Sequence, residues 1–248
     1  MSGGRFATTR WTVVRAAGDR TSPGYETALS AICEAYWRPA YAFVRRSGYT
    51  TDDARDLTQA FFMRVLEKEI LKDAQPGRGR FRSFLLTSLR NFLSNEYHWR
   101  HAMKRGGHSL HVSLEFDAEE QRYPLEPADT LTPEDVYERR WAIGIVDLAR
   151  QRLAEQHARS PRRVTFERLR QFVVDDTLVE SSDLASELGM SEGALRVAVH
   201  RLRKQYQAAL RETIACTVEH PEDVDDELRH LMDVVSRIGD HGYRSTPL

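Results

Sequence analysis

Residues 184–204, LASELGMSEGALRVAVHRLRK, read as two short helices joined by a tight turn, the second with a basic outer face. Ser182 or Asp183 can cap the first helix, and Leu184, Ala185 and Leu188 line one side of it. Gly189 sits where the chain must stop and reverse, a place where glycine reaches the left-handed conformation at little cost. Ser191 can cap the second helix. At about 100° per residue, Leu195, Ala198, Val199, Leu202 and Tyr206 share one face, while Arg196, Val197, His200, Arg201 and Lys204 spread over the rest. Turn glycine, cap and one-sided charge in that order describe a helix-turn-helix, whose second helix enters the major groove of DNA. A helical hairpin with a merely solvated basic face is the plainer reading, and it leaves the coincidence of the three features unexplained.

The rest of the chain bounds the answer. Its 248 residues, 41% hydrophobic and 29% charged, leave room for one large or two small helix-rich domains. No apolar run approaches the ~20 residues that span a bilayer, so no membrane insertion is expected. The segment MSGGRFATTR has no apolar core of the kind a signal peptide carries. Cys33 and Cys216 are the only cysteines, which suggests neither a disulfide framework nor a cysteine zinc site. A cytoplasmic protein with reduced thiols is expected.

A net charge of −1 hides strong segregation. Residues 78–107 hold Arg78, Arg80, Arg82, Arg90, Arg100, Lys104 and Arg105 against Glu96 alone. Residues 109–135 hold eight acids against Arg122, and residues 217–240 hold eight acids against Arg229 and Arg237. Basic segments suit nucleic acid, whereas acidic ones mark linkers or tails.

Periodicity predicts helices over 25–47, with Leu29, Ile32, Cys33, Tyr36, Trp37, Tyr41 and Val44 in step and a kink or restart at Pro39. Further helices are predicted from Thr50 or Thr51 to about Lys68, over about 81–103, from Thr132-Pro133 to about Arg159, and from Ser160-Pro161 to about Val174. A short strand is predicted over His111–Phe116. A tail helix starts near Glu222, with Val224, Leu228, Leu231, Met232, Val235 and Ile238 on one face. The fold class is therefore all-α. Two helical domains, 25–107 and 133–215, are joined by an acidic linker, 108–132. An N-terminal extension, 1–24, precedes them, and an acidic C-terminal extension, 216–248, carries the tail helix. That tail needs a surface for its apolar stripe. The second domain is nearest, and the tail's acids would then compete with DNA for the basic helix.

DDARDLTQAFFMRVLE (52–67), FRSFLLTSLRNFLSNEYHWRHAMKR (81–105) and the helix-turn-helix, in that order, resemble the sigma-70 family of RNA polymerase sigma factors. The chain looks most like the two-domain extracytoplasmic-function (ECF) group, over about 25–107 and 160–212. The resemblance implies a first domain that holds core RNA polymerase and opens the −10 promoter element. It implies a second domain that reads the −35 element, and no catalytic site or cofactor of its own. Partners implied are core polymerase, promoter DNA and an anti-sigma or other regulatory protein.

In the helix 52–67, Ala54, Leu57, Phe61 and Val65 form the stripe expected to be buried, with Asp56, Gln59 and Met63 opposite and Phe62 at the margin. A methionine and an aromatic beside polar groups suit a partner surface. The resemblance turns Asp56 and Gln59 towards the polymerase, with Phe62 and Met63 beside them. In the helix 81–103, Phe84, Leu85, Leu89, Phe92 and Leu93 are expected in the core. Asn91, Asn95, His98, Trp99, Arg100, Lys104 and Arg105 combine cations for phosphates with an aromatic for unpaired bases. The resemblance places −10 recognition there, with Asn91 matching a recurrent asparagine and Asn95 standing where many members carry Asp. It places −35 recognition on Arg196, Val197, His200, Arg201 and Lys204.

His98-x2-His101 and His108-x2-His111 lack the carboxylate or cysteine partners that would complete a metal site. Gln75-Pro-Gly-Arg-Gly-Arg lacks the Lys-Ser/Thr ending of a phosphate-binding loop. No clustered carboxylates suggest a nuclease. The remaining alternative is a stand-alone helix-turn-helix transcriptional regulator.

Overall fold

A computed structural model describes residues 23, 25–67, 80–102, 131–158, 163–173, 182–215, 217, 218 and 220–239. Among these the chain is all-helical, with no strand. Its helices are α1 Tyr25–Arg46, α2 Thr51–Glu67, α3 Phe81–Ala102, α4 Pro133–Ala158, α5 Arg163–Leu169, α6 Ser182–Glu187, α7 Glu192–Ala215 and α8 Val224–Gly239. Short 3₁₀ turns at Arg170–Phe172 and Pro221–Asp223 extend α5 and lead into α8. The extension 1–22, the strand expected at His111–Phe116 and nearly all of the linker lie outside the described residues.

α1 is the central helix because its stretch 39–44 is apolar on every side. Pro39, Ala40, Tyr41, Ala42, Phe43 and Val44 are buried in succession. Such a helix must be surrounded, and α2 and α3 cover one flank while α4 lies along another. The helix runs unbroken through Pro39 rather than restarting there. Proline removes one backbone donor, the one that would reach the carbonyl of solvent-exposed Ala35, and packing on both flanks holds the helical path. Gly48, at φ 95°, ends the helix, with the amide of Ser47 bonded back to the Phe43 carbonyl at 2.9 Å.

Helix starts follow their capping residues. The Thr50 hydroxyl accepts from the Asp53 amide at 3.2 Å and donates to the Asp53 carboxylate at 2.9 Å. Thr132 and Asp135 form the same reciprocal box at α4, through 3.1 Å and 3.0 Å bonds between hydroxyl, carboxylate and the two amides. Hydrogen bonding from Thr132 holds the Asp135 carboxyl below its ordinary range against the opposing effect of desolvation.

Packing crosses the expected linker. Tyr137, Trp141, Ala142 and Ile145 of α4 belong to the same core as Tyr36, Trp37 and Phe81, and Arg46 Nε donates to the Leu131 carbonyl at 2.7 Å. α7 packs on α4, and α8 packs on both. The tail helix buries Val224, Leu231, Val234 and Ile238, with Leu228 and Val235 partly covered. Met232, expected on that face, is instead 49% exposed. Val234, which joins the covered arc, moves its centre away from Met232 by about half a residue's rotation.

Three segments far apart in sequence meet at a buried charge cluster. Arg82 of α3 and Glu227 of α8 are 5% and 1% exposed, and Arg82 Nε donates to Glu227 Oε1 at 2.8 Å. A second nitrogen of Arg82 bonds Glu138 of α4. Arg80 Nε lies 2.7 Å from Glu227 Oε2 without hydrogen-bond alignment. His230 Nε2 is 3.0 Å from the other oxygen of Glu138. The Arg82 guanidinium sits 4.8 Å from the Trp141 ring centroid, and the Tyr137 hydroxyl donates to the Arg82 carbonyl at 3.1 Å. Burial alone lowers the Arg82 pKa, but Glu227 and Glu138 outweigh it and raise the net value. Glu227→Ala leaves that guanidinium short of one partner, so a loss of about 3–5 kcal/mol is expected in urea unfolding. An unchanged midpoint would show that Glu138 alone satisfies Arg82.

Candidate nucleic-acid interface

α6 has only six residues, and its ending is set by hydrogen bonds rather than by length. The Gly189 amide donates to the Ser186 carbonyl at 3.1 Å, and the Met190 amide donates to the Ala185 carbonyl at 2.9 Å. These are the two bonds of a Schellman ending, and Gly189 supplies the left-handed residue at φ 63°. The chain then turns directly into α7. Ser191 Oγ accepts from the Ala194 amide at 3.2 Å, the side-chain cap expected for this helix. Ala185 is buried, and Leu184, Leu188 and Met190 pack partly against the core. Arg203 Nε donates to the Phe172 carbonyl at 3.1 Å, which ties α7 to the turn after α5.

α7 divides its residues as the periodicity predicts. Leu195, Val199, Leu202 and Tyr206 are buried, and Ala198 is half-buried. Arg196, Val197, His200, Arg201 and Lys204 are all exposed. Among the described residues, Arg196, Arg201 and Lys204 make no ion pair. The helix has 24 residues and is about 36 Å long. Its basic face lies between Arg196 and Lys204, and beyond it the helix is tied to α4 and α8. There Arg152 Nη1 donates to Thr213 Oγ1 at 3.1 Å, and Arg211 pairs with Asp225 of α8 at 2.6 Å.

Three of the tail's acids are engaged away from the basic face. Asp225 pairs with Arg211, Asp226 with Arg229, and Glu227 with Arg80 and Arg82. The expected competition with DNA has no contact behind it among the described residues. α8 is instead part of the core.

In α2 the buried arc holds Ala54, Leu57, Thr58, Phe61, Phe62 and Val65. Asp56 is exposed and Gln59 and Met63 are half-buried, on the face expected. Phe62 corrects the expectation: it is fully buried, its ring 5.3 Å from that of Phe61, and it cannot belong to a partner surface as the chain stands. α2 contacts both α1 and α3, so its covered arc is wider than a single stripe and takes in the marginal position.

In α3 the core residues are Phe81, Leu85, Leu86, Leu89, Phe92 and Leu93, with Phe84 half-buried. Phe92 packs 5.6 Å from Phe61, and Arg64 lies 5.8 Å from its ring centroid. Asn91 and Asn95 are exposed. His98, Trp99 and Arg100 fall within the helical span, but their side chains lie outside the described residues, as do Lys104 and Arg105 altogether. Among the described residues no group of three or more His, Cys, Asp or Glu could hold a metal ion, and no helix is long and apolar enough to cross a membrane.

Compared with family models, curated proteins and solved structures, the chain matches none of them.

The corner makes a paired prediction. Gly189→Ala forces a side chain into the left-handed region and is expected to cost about 1–2 kcal/mol. Gly193→Ala fills an uncrowded helical position, its nearest heavy atom 4.0 Å away, and is expected to stabilise by up to about 1 kcal/mol. Chemical unfolding of both variants measures the contrast, and equal shifts would show that the turn does not depend on its glycine.

Proposed function

We propose that the chain is an alternative sigma factor of the extracytoplasmic-function type. It binds core RNA polymerase and directs promoter-specific initiation in the cytoplasm, and the polymerase supplies the chemistry. The observation that carries this reading is the exposed basic face of α7 from Arg196 to Lys204, reached through a capped turn. Order along the chain supports it, since the resemblance of 52–67 and 81–105 to sigma-70 regions precedes that helix. In this reading Asp56, Gln59 and Met63 contact polymerase. Asn91, Asn95, His98, Trp99, Arg100, Lys104 and Arg105 serve the −10 element, with the α3 asparagines exposed as such a role needs. Arg196, Val197, His200, Arg201 and Lys204 serve the −35 element. An anti-sigma protein or other regulator is a further proposed partner.

A second reading has a specific observation in its favour. α1 and α4 share one core, so the two expected domains pack together. That arrangement suits a stand-alone DNA-binding regulator as well. Affinity for core polymerase separates the two. Asp56→Ala with Gln59→Ala is expected to reduce capture of core polymerase at least tenfold while helical content is unchanged. Capture by neither protein favours the stand-alone regulator, and equal capture by both removes this surface from the reading.

DNA binding is expected to weaken steeply with salt, because cations that contact phosphates release counterions. Arg196 lies early on α7, where it can reach base edges, whereas Lys204 lies two turns further and suits a phosphate. Arg196→Ala is expected to relax sequence preference, at about 1–3 kcal/mol on the preferred site, and Lys204→Ala to weaken all duplexes alike. Equal losses on every sequence for both variants would make Arg196 a phosphate contact.

A further inference from the structure

Val197 is 49% exposed, one of two large apolar side chains so exposed among the described residues. The other, Met232, stands on α8 with Leu228, Arg229, Val235 and Ser236 one turn away on either side. Val197 is surrounded by cations. By helical rotation it lies diametrically across from the buried Leu195, Val199, Leu202 and Tyr206, at the crest of the outer face. Arg196 and Arg201 stand on either side of it, and His200 and Lys204 follow it along the crest, all exposed. One turn before it stands Gly193, where a Cβ would meet only Ser191 Oγ, 4.0 Å away. A cationic rim around an apolar crest fits a polyanion that carries an apolar group in a groove. Duplex DNA offers such a group in its major groove at one base only, the 5-methyl of thymine. The flanking cations suit the phosphates on the two walls of the groove.

We infer that Val197 is a specificity residue that reads a thymine methyl. This deepens the proposed function and rests on its reading of α7 as a DNA-contacting helix. Cytosine at the same step presents an amino donor to the valine, which can accept no hydrogen bond. Purines present ring nitrogens and exocyclic groups, which a cation or amide reads better. The crest therefore selects for a methyl-bearing position, and Arg196 and His200 are left to read its neighbours.

The test uses the full chain and a duplex selected by it from a randomised library. Each thymine of that duplex is replaced singly by deoxyuridine, which removes only the methyl group. One replacement is expected to weaken binding about 4-fold, the worth of one buried methyl-sized group. Val197→Ala is expected to bind the thymine duplex more weakly and to show no further loss with uracil at that position. Losses within 2-fold at every position would overturn the inference. So would a uracil penalty that persists undiminished in Val197→Ala, which would assign the methyl to another residue. If Val197→Ala keeps full DNA affinity but loses core polymerase, the valine is a protein contact and the inference fails. A chain that binds no duplex at all would instead sink the reading of α7 on which the inference stands.

Discussion

The arginine at position 82 cannot be buried alone. A guanidinium removed from water costs several kcal/mol unless carboxylates replace its hydration, and this requirement brings Glu138 and Glu227 to one point. Those residues lie 56 and 145 positions further along the chain. Their meeting aligns the start of α3, the first turns of α4 and the tail helix α8 with one another. Such a cluster need not add net stability over a well-packed apolar one. It does penalise every arrangement in which one of the three segments slips, because a slipped segment leaves a buried charge unmatched. The aromatic residues around it, Tyr36, Tyr137 and Trp141, make the penalty larger by keeping water out. Burial also pushes both tyrosine hydroxyls well above their ordinary pKa, and they stay neutral beside the ions.

Much of the fold is legible in the sequence, for local reasons. Thr50, Thr132, Ser191, Gly48 and Gly189 start or stop helices through bonds that span only a few residues, and each does so where its type predicts. The stripes of α2, α3 and α7 follow from rotation alone. What the sequence hides is which surfaces meet. Phe62 lies at the edge of an amphipathic arc, and only the presence of two neighbouring helices decides that it goes inside. Met232 shows the opposite outcome for the same reason. Pro39 is a helix breaker in isolation, yet the packing of α1 on both flanks overrides one missing hydrogen bond.

The central charge cluster leaves a trace in the sequence that is easy to pass over. Arg82 shares a helical face with Leu89 and Leu93, and Glu227 shares one with Leu231, Val234 and Ile238. A charge inside an apolar stripe, in two segments with opposite sign, points to a buried pair. The acidic excess of residues 217–240 obscures that signal, since one residue in the stripe is easily counted with its exposed neighbours. The candidate interface is legible in its local part, the capped corner and the basic face of α7. Its relation to the tail is not, because charge alone draws the tail to the wrong half of that helix.

α7 is one uninterrupted helix of 24 residues, covered along one face from Leu195 to Ile214 and exposed along its basic face near the start. No proline or glycine interrupts it after Gly193, so it has no joint between the two halves. It is held along its length, by α5 and α6 near its start and by α4 and α8 further on, so it shifts only as one rigid rod. A tilt of ~5° about the C-terminal end of the rod moves its first residue by about 3 Å over the full ~36 Å length, the scale of a single residue's rise along a strand. The aim of the basic face is thus set in part by residues such as Thr213 and Arg211 at the opposite end of the helix, and substitutions there can redirect it without touching it.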